Sequence, residues 1–465
     1  MTEKLTTFKK NDKMQEQRIL STGKAIIFTL PNMGITAILA IAVFFTLLLY
    51  VNIMGQPPLI IGGIYSATII VYAISCIIWG VIADRIGKKK VLLFSGPILA
   101  ISFVFIWFPP IPTGSYGEIY LPLIFWLIIF GFTFRIMIAG FQPILYSLLP
   151  ELSTDEQNRI KISMINMIMM ILGTVIGTIG PIILMGDATK DLSRENPKLY
   201  YSSSSIGRTI YTQIVFFASL MSIIFCLCFF LMLLIIEEPP KKREKKLTLN
   251  KIYKDLAEPF KDKNYRKFLI TFYLFWIPFV AFQYLFLNLA TFVISFRGNE
   301  FILMAVIVFV LSAFSFIAWK TLSEKYGLKN TLSICLIFAI ISFFLFFVLL
   351  IPMTIELILI VGIILITICF CSLVGTMVFP FAIMSALIDN AELKADKVLS
   401  GSYSGAFIMM GSLASATSLI IISLFLELCG PETSFGYIII LSFIGSTLLI
   451  VALIIFQKVQ LIRTN

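Results

Sequence analysis

Arg135 stands near the middle of an apolar block, residues 119–149, in which no other side chain carries a charge. A guanidinium at that depth is costly unless it faces a partner or water, so it marks a candidate binding site. At about 100° per helical residue, Gln142 and Tyr146 fall within about 20° either side of Arg135, and the three form one polar stripe. No Asp or Glu lies well inside any apolar block to pair with it. That points to a carboxylate or phosphate brought by a solute. An arginine bonded to backbone carbonyls, or snorkelling along a tilted helix, is the structural alternative.

Two further positions join this set. Asn32, in the string Pro31-Asn32-Met33-Gly34, lies where Pro and Gly can break a helix and free backbone groups for binding. It shares a face with Thr36; a plain kink with Asn32 bonded to a neighbouring helix is the other reading. Gln283 lies in a run with Phe279, Tyr284 and Asn288, aromatic and amide side chains suited to a sugar or other flat solute, or simply to packing. Asn166 could touch either a solute or a neighbouring helix.

The chain has no His, and its 7 Cys sit almost entirely in apolar blocks without metal-like or disulfide spacing. The commonest general base and the commonest metal ligand are therefore absent, and no buried carboxylate pair offers acid–base work. No catalytic residue, metal site or cofactor is expected, and an enzyme is not the favoured class.

Positioning such a stripe requires spanning elements. Hydrophobic residues make up 59% of the 465 and charged residues 13%, against about a quarter charged in ordinary soluble domains. The apolar residues come in blocks near 25–51, 57–83, 90–109, 119–149, 160–186, 209–236, 266–294, 300–321, 328–352, 354–388, 401–428 and 434–457. Each is long enough to cross a hydrocarbon core of ~30 Å as a helix. Strand-like alternation is missing, so the expected fold is an all-α integral membrane protein of twelve transmembrane helices.

The net charge of +11 reports topology and not nucleic-acid binding. If the N-terminus is cytoplasmic, the opposite loops carry only Lys190, Arg194, Lys198, Arg208 and Arg297 among the Lys and Arg. The positive-inside rule then places both termini in the cytoplasm of a multi-pass cell-membrane protein. The polar stretch Met1–Lys24 does not read as a cleaved signal peptide. The expected divisions are a cytoplasmic segment 1–24, a six-helix bundle 25–236, a basic cytoplasmic linker 237–265, a second six-helix bundle 266–457 and a tail 458–465. The linker, with its run KKREKK, suits a tether on anionic membrane lipids.

The loop after the second block contains Asp84-Arg85-x-Gly87 and the loop after the eighth contains Glu324-Lys325-x-Gly327, 240 positions on. PELSTDEQNR after the fourth block is echoed by NAELKADK after the tenth at nearly the same offset. Two loop pairs at one offset imply two six-helix pseudo-repeats. In the fifth block Gly173, Gly177 and Gly180-Pro181 suit close helix packing.

The string GVIADRIGKKK resembles the loop between helices two and three of the major facilitator superfamily. Within it, LPEL at 149–152 with Asp155 and Arg159, LAEPFKDKNYRKFL, and FPFAIMSALIDNAELKADKVLSGSYSG resemble the glycoside-pentoside-hexuronide:cation symporters, relatives of the melibiose carrier. The resemblance implies a monomeric secondary transporter that moves a sugar or sugar acid by alternating access through a central cavity. It implies conformational gating by Asp84, Arg85, Glu324 and Lys325, charges that hold the halves in one state and release them as they rock. It also implies that Gln142 and Tyr146 stand where the family places a sugar-contacting acid and aromatic. The family's coupling aspartates on helix two fall at Tyr72 and Cys76, which cannot ligate a hard cation, and Met409 and Met410 lie where a lysine is usual on helix eleven. Coupling to Na⁺ or H⁺ is left open. A lipid-like or organic-anion cargo, and a non-transporting sensor, remain alternatives.

Overall fold

The computed structural model describes residues 20–152, 156–194, 197–234, 258–395, 400–430 and 434–460. Apolar runs fold as helices here because only a helix pairs every backbone donor and acceptor within a single crossing of lipid. In order they are α1 (Thr22–Leu47), α2 (Pro58–Ile86), α3 (Lys88–Trp107), α4 (Leu121–Leu152), α5 (Glu156–Ala188), α6 (Ser205–Leu233) and α7 (Lys263–Asn288). The continuous run Asn299–Phe344 follows, then α10 (Ile355–Ala395), α11 (Ser400–Cys429) and α12, which begins at Ser434 and ends at Gln457 after a π-helical stretch.

Eleven helices among the described residues are long and apolar enough to cross a membrane, and one of them has 52 residues. At 1.5 Å per residue that one would be about 78 Å long, more than twice a hydrocarbon core. Gly327, at φ 77° and ψ 162°, breaks it into α8 (299–326) and α9 (328–344). Twelve crossings result. Helix continues through the charged stretch 320–326 that reads as loop in the sequence, because Lys320, Leu322, Glu324 and Lys325 are good helix formers.

The repeat read from the loops is written in the backbone. Gly87 and Gly327 both have positive φ, 104° and 77°, and both close a helix pair. Both α1 and α7 end in π-helical turns, Leu48–Ile53 and Leu289–Val293. Met54 N–H donates to Leu49 and Ile294 N–H to Leu289, each reaching back five residues. Gly55 at φ 63° then corresponds to Ser295 at φ 64°, where the non-glycine residue accepts a left-handed conformation that costs about 1–2 kcal/mol. The linker lies largely outside the described residues.

Caps fix several helix starts. Ser21 accepts from Lys24 N–H, Ser204 from Gly207 N–H, and Asp262 from both Asn264 and Tyr265 N–H. At one end of the bundle an amide side chain clasps a backbone segment in each half: Asn158 bonds both the N–H and the C=O of Leu20, and Asn264 does the same for Gln460.

The glycines of α5 do what their spacing suggests. A Cβ on Gly173 would stand 2.1 Å from the Met33 carbonyl and from Thr36 Oγ1, and one on Gly177 would stand 2.5 Å from the Ala37 carbonyl. With backbone in the way, neither site can yield by rotating a side chain. Gly177→Leu is therefore expected to separate α1 from α5 and cost at least about 1–3 kcal/mol. The check is the melting temperature in detergent, which an unchanged value would contradict.

Candidate functional site

Arg135 lies half-buried in the middle of α4. Its guanidinium reaches the Tyr284 hydroxyl of α7 at hydrogen-bonding range, and its charge is felt at the Tyr65 hydroxyl of α2. Both tyrosines are buried, and Tyr65 stands beside Thr46 of α1. Four helices from both halves thus converge on one cation. No carboxylate among the described residues forms an ion pair with Arg135.

The other predicted residues divide. Gln142 is half-buried two turns along α4 and has a polar partner of its own. The Tyr146 side chain lies outside the described residues. Gln283, next to Tyr284 on α7, is half-buried. Asn32 is placed elsewhere: it is 1% exposed, and its amide donates to Asn166 Oδ1 at 2.5 Å across the α1–α5 seam. Of the two readings open for Asn32, the structure shows the bond to a neighbouring helix, and the glycine-packed seam around it explains why.

The four residues expected to gate lie at the end of the bundle carrying Gly87 and Gly327. The Asp84 and Arg85 side chains are outside the described residues. Glu324 is exposed and only 3.9 Å from Lys320, one turn back on its own helix, while Lys325 lies over the Tyr326 ring at 5.2 Å. Neither makes an ion pair across the halves among the described residues.

The opposite end is sealed by contacts between the halves. On the α2–α11 seam, Glu427 Oε2 accepts from the Leu59 N–H at the start of α2, where a carboxylate also suits the helix dipole. Deeper along the seam, Ser66 Oγ donates to the Ala416 carbonyl, and Gly62 admits Ser423 with no room for a side chain. Between α1 and α7, Phe44 meets Phe286 edge-on at 5.5 Å. Asn288 donates to Asn52 Oδ1 at 2.8 Å and also reaches the Tyr437 hydroxyl. Between α5 and α8, Arg194 pairs with Glu300 at 2.7 Å, and Gly186 lies against the Gly298 carbonyl.

Arg297 completes this seal. It is 5% exposed, and burial lowers its pKa to about 10, with repulsion from Arg194 adding to the effect and Glu300 opposing it. It therefore stays charged at neutral pH. Sequence reasoning missed the seal, yet Arg194 and Arg297 are two of the few cations on the side of the chain that otherwise lacks them. That exception was the available signal.

The sealed end and the Arg135 site are adjacent. Tyr284 and Asn288 are one helical turn, about 6 Å, apart on the same face of α7.

Solved structures with this fold include the nucleoside transporter NupG (TM-score 0.64, 14% identity, covering 95% of this chain and 100% of that one). The xylose transporter XylE from E. coli in an inward-open conformation is similar at TM-score 0.62 and 13% identity, covering 94% and 95%. A bacterial homolog of the human lysosomal transporter Spinster, inward-facing, is similar at 0.56 and 14%, covering 93% of each. No curated protein matches the chain by sequence. The family profile described as MFS/sugar transport protein fits residues 27–457. With twelve helices in two pseudo-repeats around a site shared by both halves, the chain belongs to that family of major facilitator transporters and is a secondary transporter of a small organic solute.

Proposed function

We propose that the solute is a sugar-sized molecule bearing a carboxylate or phosphate, and that it moves down its own gradient without a coupling cation at the second helix. The observation that carries this reading is Arg135: a cation in the middle of a span, within hydrogen-bonding range of the Tyr284 hydroxyl, with no carboxylate among the described residues to neutralise it. A guanidinium fork matches a carboxylate or phosphate in two parallel bonds, and in a site of low dielectric each is stronger than in water. Tyr284, Tyr65 and Gln283 supply the hydroxyls and amide that a polyhydroxylated ring would use. Similarity in fold to xylose and nucleoside transporters supports a solute of that size.

The absence of cation coupling rests on the second helix. Tyr72 and Cys76, where relatives of the melibiose carrier are expected to carry aspartates, lie within hydrogen-bonding range of each other. A hydroxyl and a thiol hold Na⁺ poorly. The positive-inside pattern supports a cell-membrane protein with both termini on the cytoplasmic side. On that orientation the sealed end faces outward.

The test is counterflow in proteoliposomes with labelled uronic acids, sugar phosphates and neutral sugars, with and without Na⁺ and a pH gradient. Exchange of an acidic sugar at a rate indifferent to Na⁺ and to the pH gradient is expected. Exchange of neutral sugars alone removes the anion from the proposal, and a strict need for Na⁺ or a proton gradient removes the uncoupled mechanism. Binding without any exchange would make the protein a sensor.

A further inference from the structure

We propose that Arg297, on the turn between α7 and α8, is the latch that sets the balance between the sealed and unsealed states of the carrier. Its guanidinium is spent on backbone carbonyls from both halves. Nε donates to Leu192 at 3.0 Å and Nη2 to Ser193 at 3.1 Å, both on the α5–α6 connection of the first half. Nη1 donates to Thr291 at 3.0 Å and Phe296 at 2.7 Å on its own side. Four of the five N–H groups of the fork are used, two across the boundary. Glu300 anchors the base of the turn by accepting from the Arg297 N–H at 2.8 Å, and Arg194 ties the same turn back through Glu300 and the Ser295 carbonyl.

This geometry exists only while the halves touch. When they rock apart, the two carbonyls of the α5–α6 connection leave with the first half, and a buried cation loses half of its partners at once. Hydrogen bonds made by a charged group are stronger than neutral ones, and a buried charge left without them is costly. The two across the boundary are present in one state and absent from the other, which is the condition for shifting an equilibrium instead of merely adding stability to both. The backbone of the turn is held in costly conformations as well. Ser295 sits at φ 64°, and Gly298 at φ 52° and ψ −126° occupies a region open to almost no other residue. The clasp over-determines a turn that would otherwise relax. The inference concerns the equilibrium between states and holds whatever the solute is.

The experiment measures both ends of the molecule at once. Spin labels on ketone-bearing residues replace Asp191 and Leu303 at the sealed end, and Lys161 and Tyr326 at the opposite end, in full-length protein reconstituted in nanodiscs. In Arg297→Gln the sealed-end pair is expected to lengthen and the opposite pair to shorten in the same molecules, with the unsealed population raised at least about tenfold. Arg297→Lys, which keeps the charge but loses the planar fork, is expected to behave like Gln. Should Arg297 variants fail to fold, Gly186→Val wedges the same seam without touching a charge, since its Cβ would lie 2.8 Å from the Gly298 carbonyl, and the same reciprocal change is expected. Lengthening at the sealed end alone, with the opposite pair fixed, means local unfolding of a loop and overturns the proposal. So does the wild-type distance distribution in every variant.

Discussion

Arg135→Gln is expected to lower transport of an acidic sugar by roughly 10- to 100-fold, the loss of one charge-assisted contact made by the solute, while neutral sugars change little. Expression and melting temperature should stay close to wild type. Arg135 pairs with no carboxylate among the described residues, so its removal leaves no buried counter-charge stranded, the usual reason such substitutions unfold a protein. Arg135→Lys keeps a point charge without the fork and should fall between the two. Uptake of the acidic solute at the wild-type rate in the Gln variant would remove Arg135 from the binding site and restore its structural reading. Tyr284→Phe removes the Tyr284 hydroxyl from beside the guanidinium and is expected to weaken binding of a polyhydroxylated acid less than Arg135→Gln does; an equal or larger loss would make the tyrosine, and not the cation, the main contact.

A second large effect is expected at Gly62. A Cβ there would stand 1.6 Å from Ser423 Oγ and 2.5 Å from its Cβ, so Gly62→Ala cannot close the α2–α11 seam as it closes in this structure. The carrier should be held with that end open, and net transport should fall nearly to background even though ligand still binds. Ser423→Gly removes both clashing atoms and leaves only the Leu419 carbonyl at 3.0 Å. The hydroxyl it deletes is buried without a partner, so no hydrogen bond is lost. The double variant should recover much of the transport. The two substitutions would then show strong coupling, the mark of side chains in direct contact. Simple additivity, or normal transport by Gly62→Ala, would show that the seam does not have to close.

The helices were legible in the sequence because the lipid constraint is local: each apolar block satisfies its own backbone, so length and composition suffice. The twofold repeat was legible from two loops, and it emerges in the structure at positions no one would align by side chain, such as Gly55 and Ser295. The site was only half legible. Arg135 announced itself by its cost, but its partners came from elsewhere in sequence, Tyr65 on α2 and Tyr284 on α7, and nothing in a one-dimensional pattern ranks one buried tyrosine above another. Asn32 illustrates the converse. Its position beside Pro31 and Gly34 suited an open, ligand-binding backbone, yet Gly173 and Gly177 on α5 made a closer contact available and Asn166 took its amide. The seal was least legible, since the bonds that close it join residues of different halves, and the reward for such contacts depends on a rigid-body arrangement that no single segment encodes.

One property of the Arg135 site concerns what the membrane must keep out. A carrier that opens to one side and then the other presents a short water-filled path with a thin barrier, and protons or sodium ions driven by a voltage of about 100 mV gain about 2.3 kcal/mol in crossing it. A fixed positive charge beside the closed barrier opposes their entry, as positive groups do in pores that pass neutral molecules while excluding protons. The same guanidinium offers an anion a partner. On the proposed reading, Arg135 sets a positive charge beside the solute's path that repels protons and Na⁺ and attracts an organic anion.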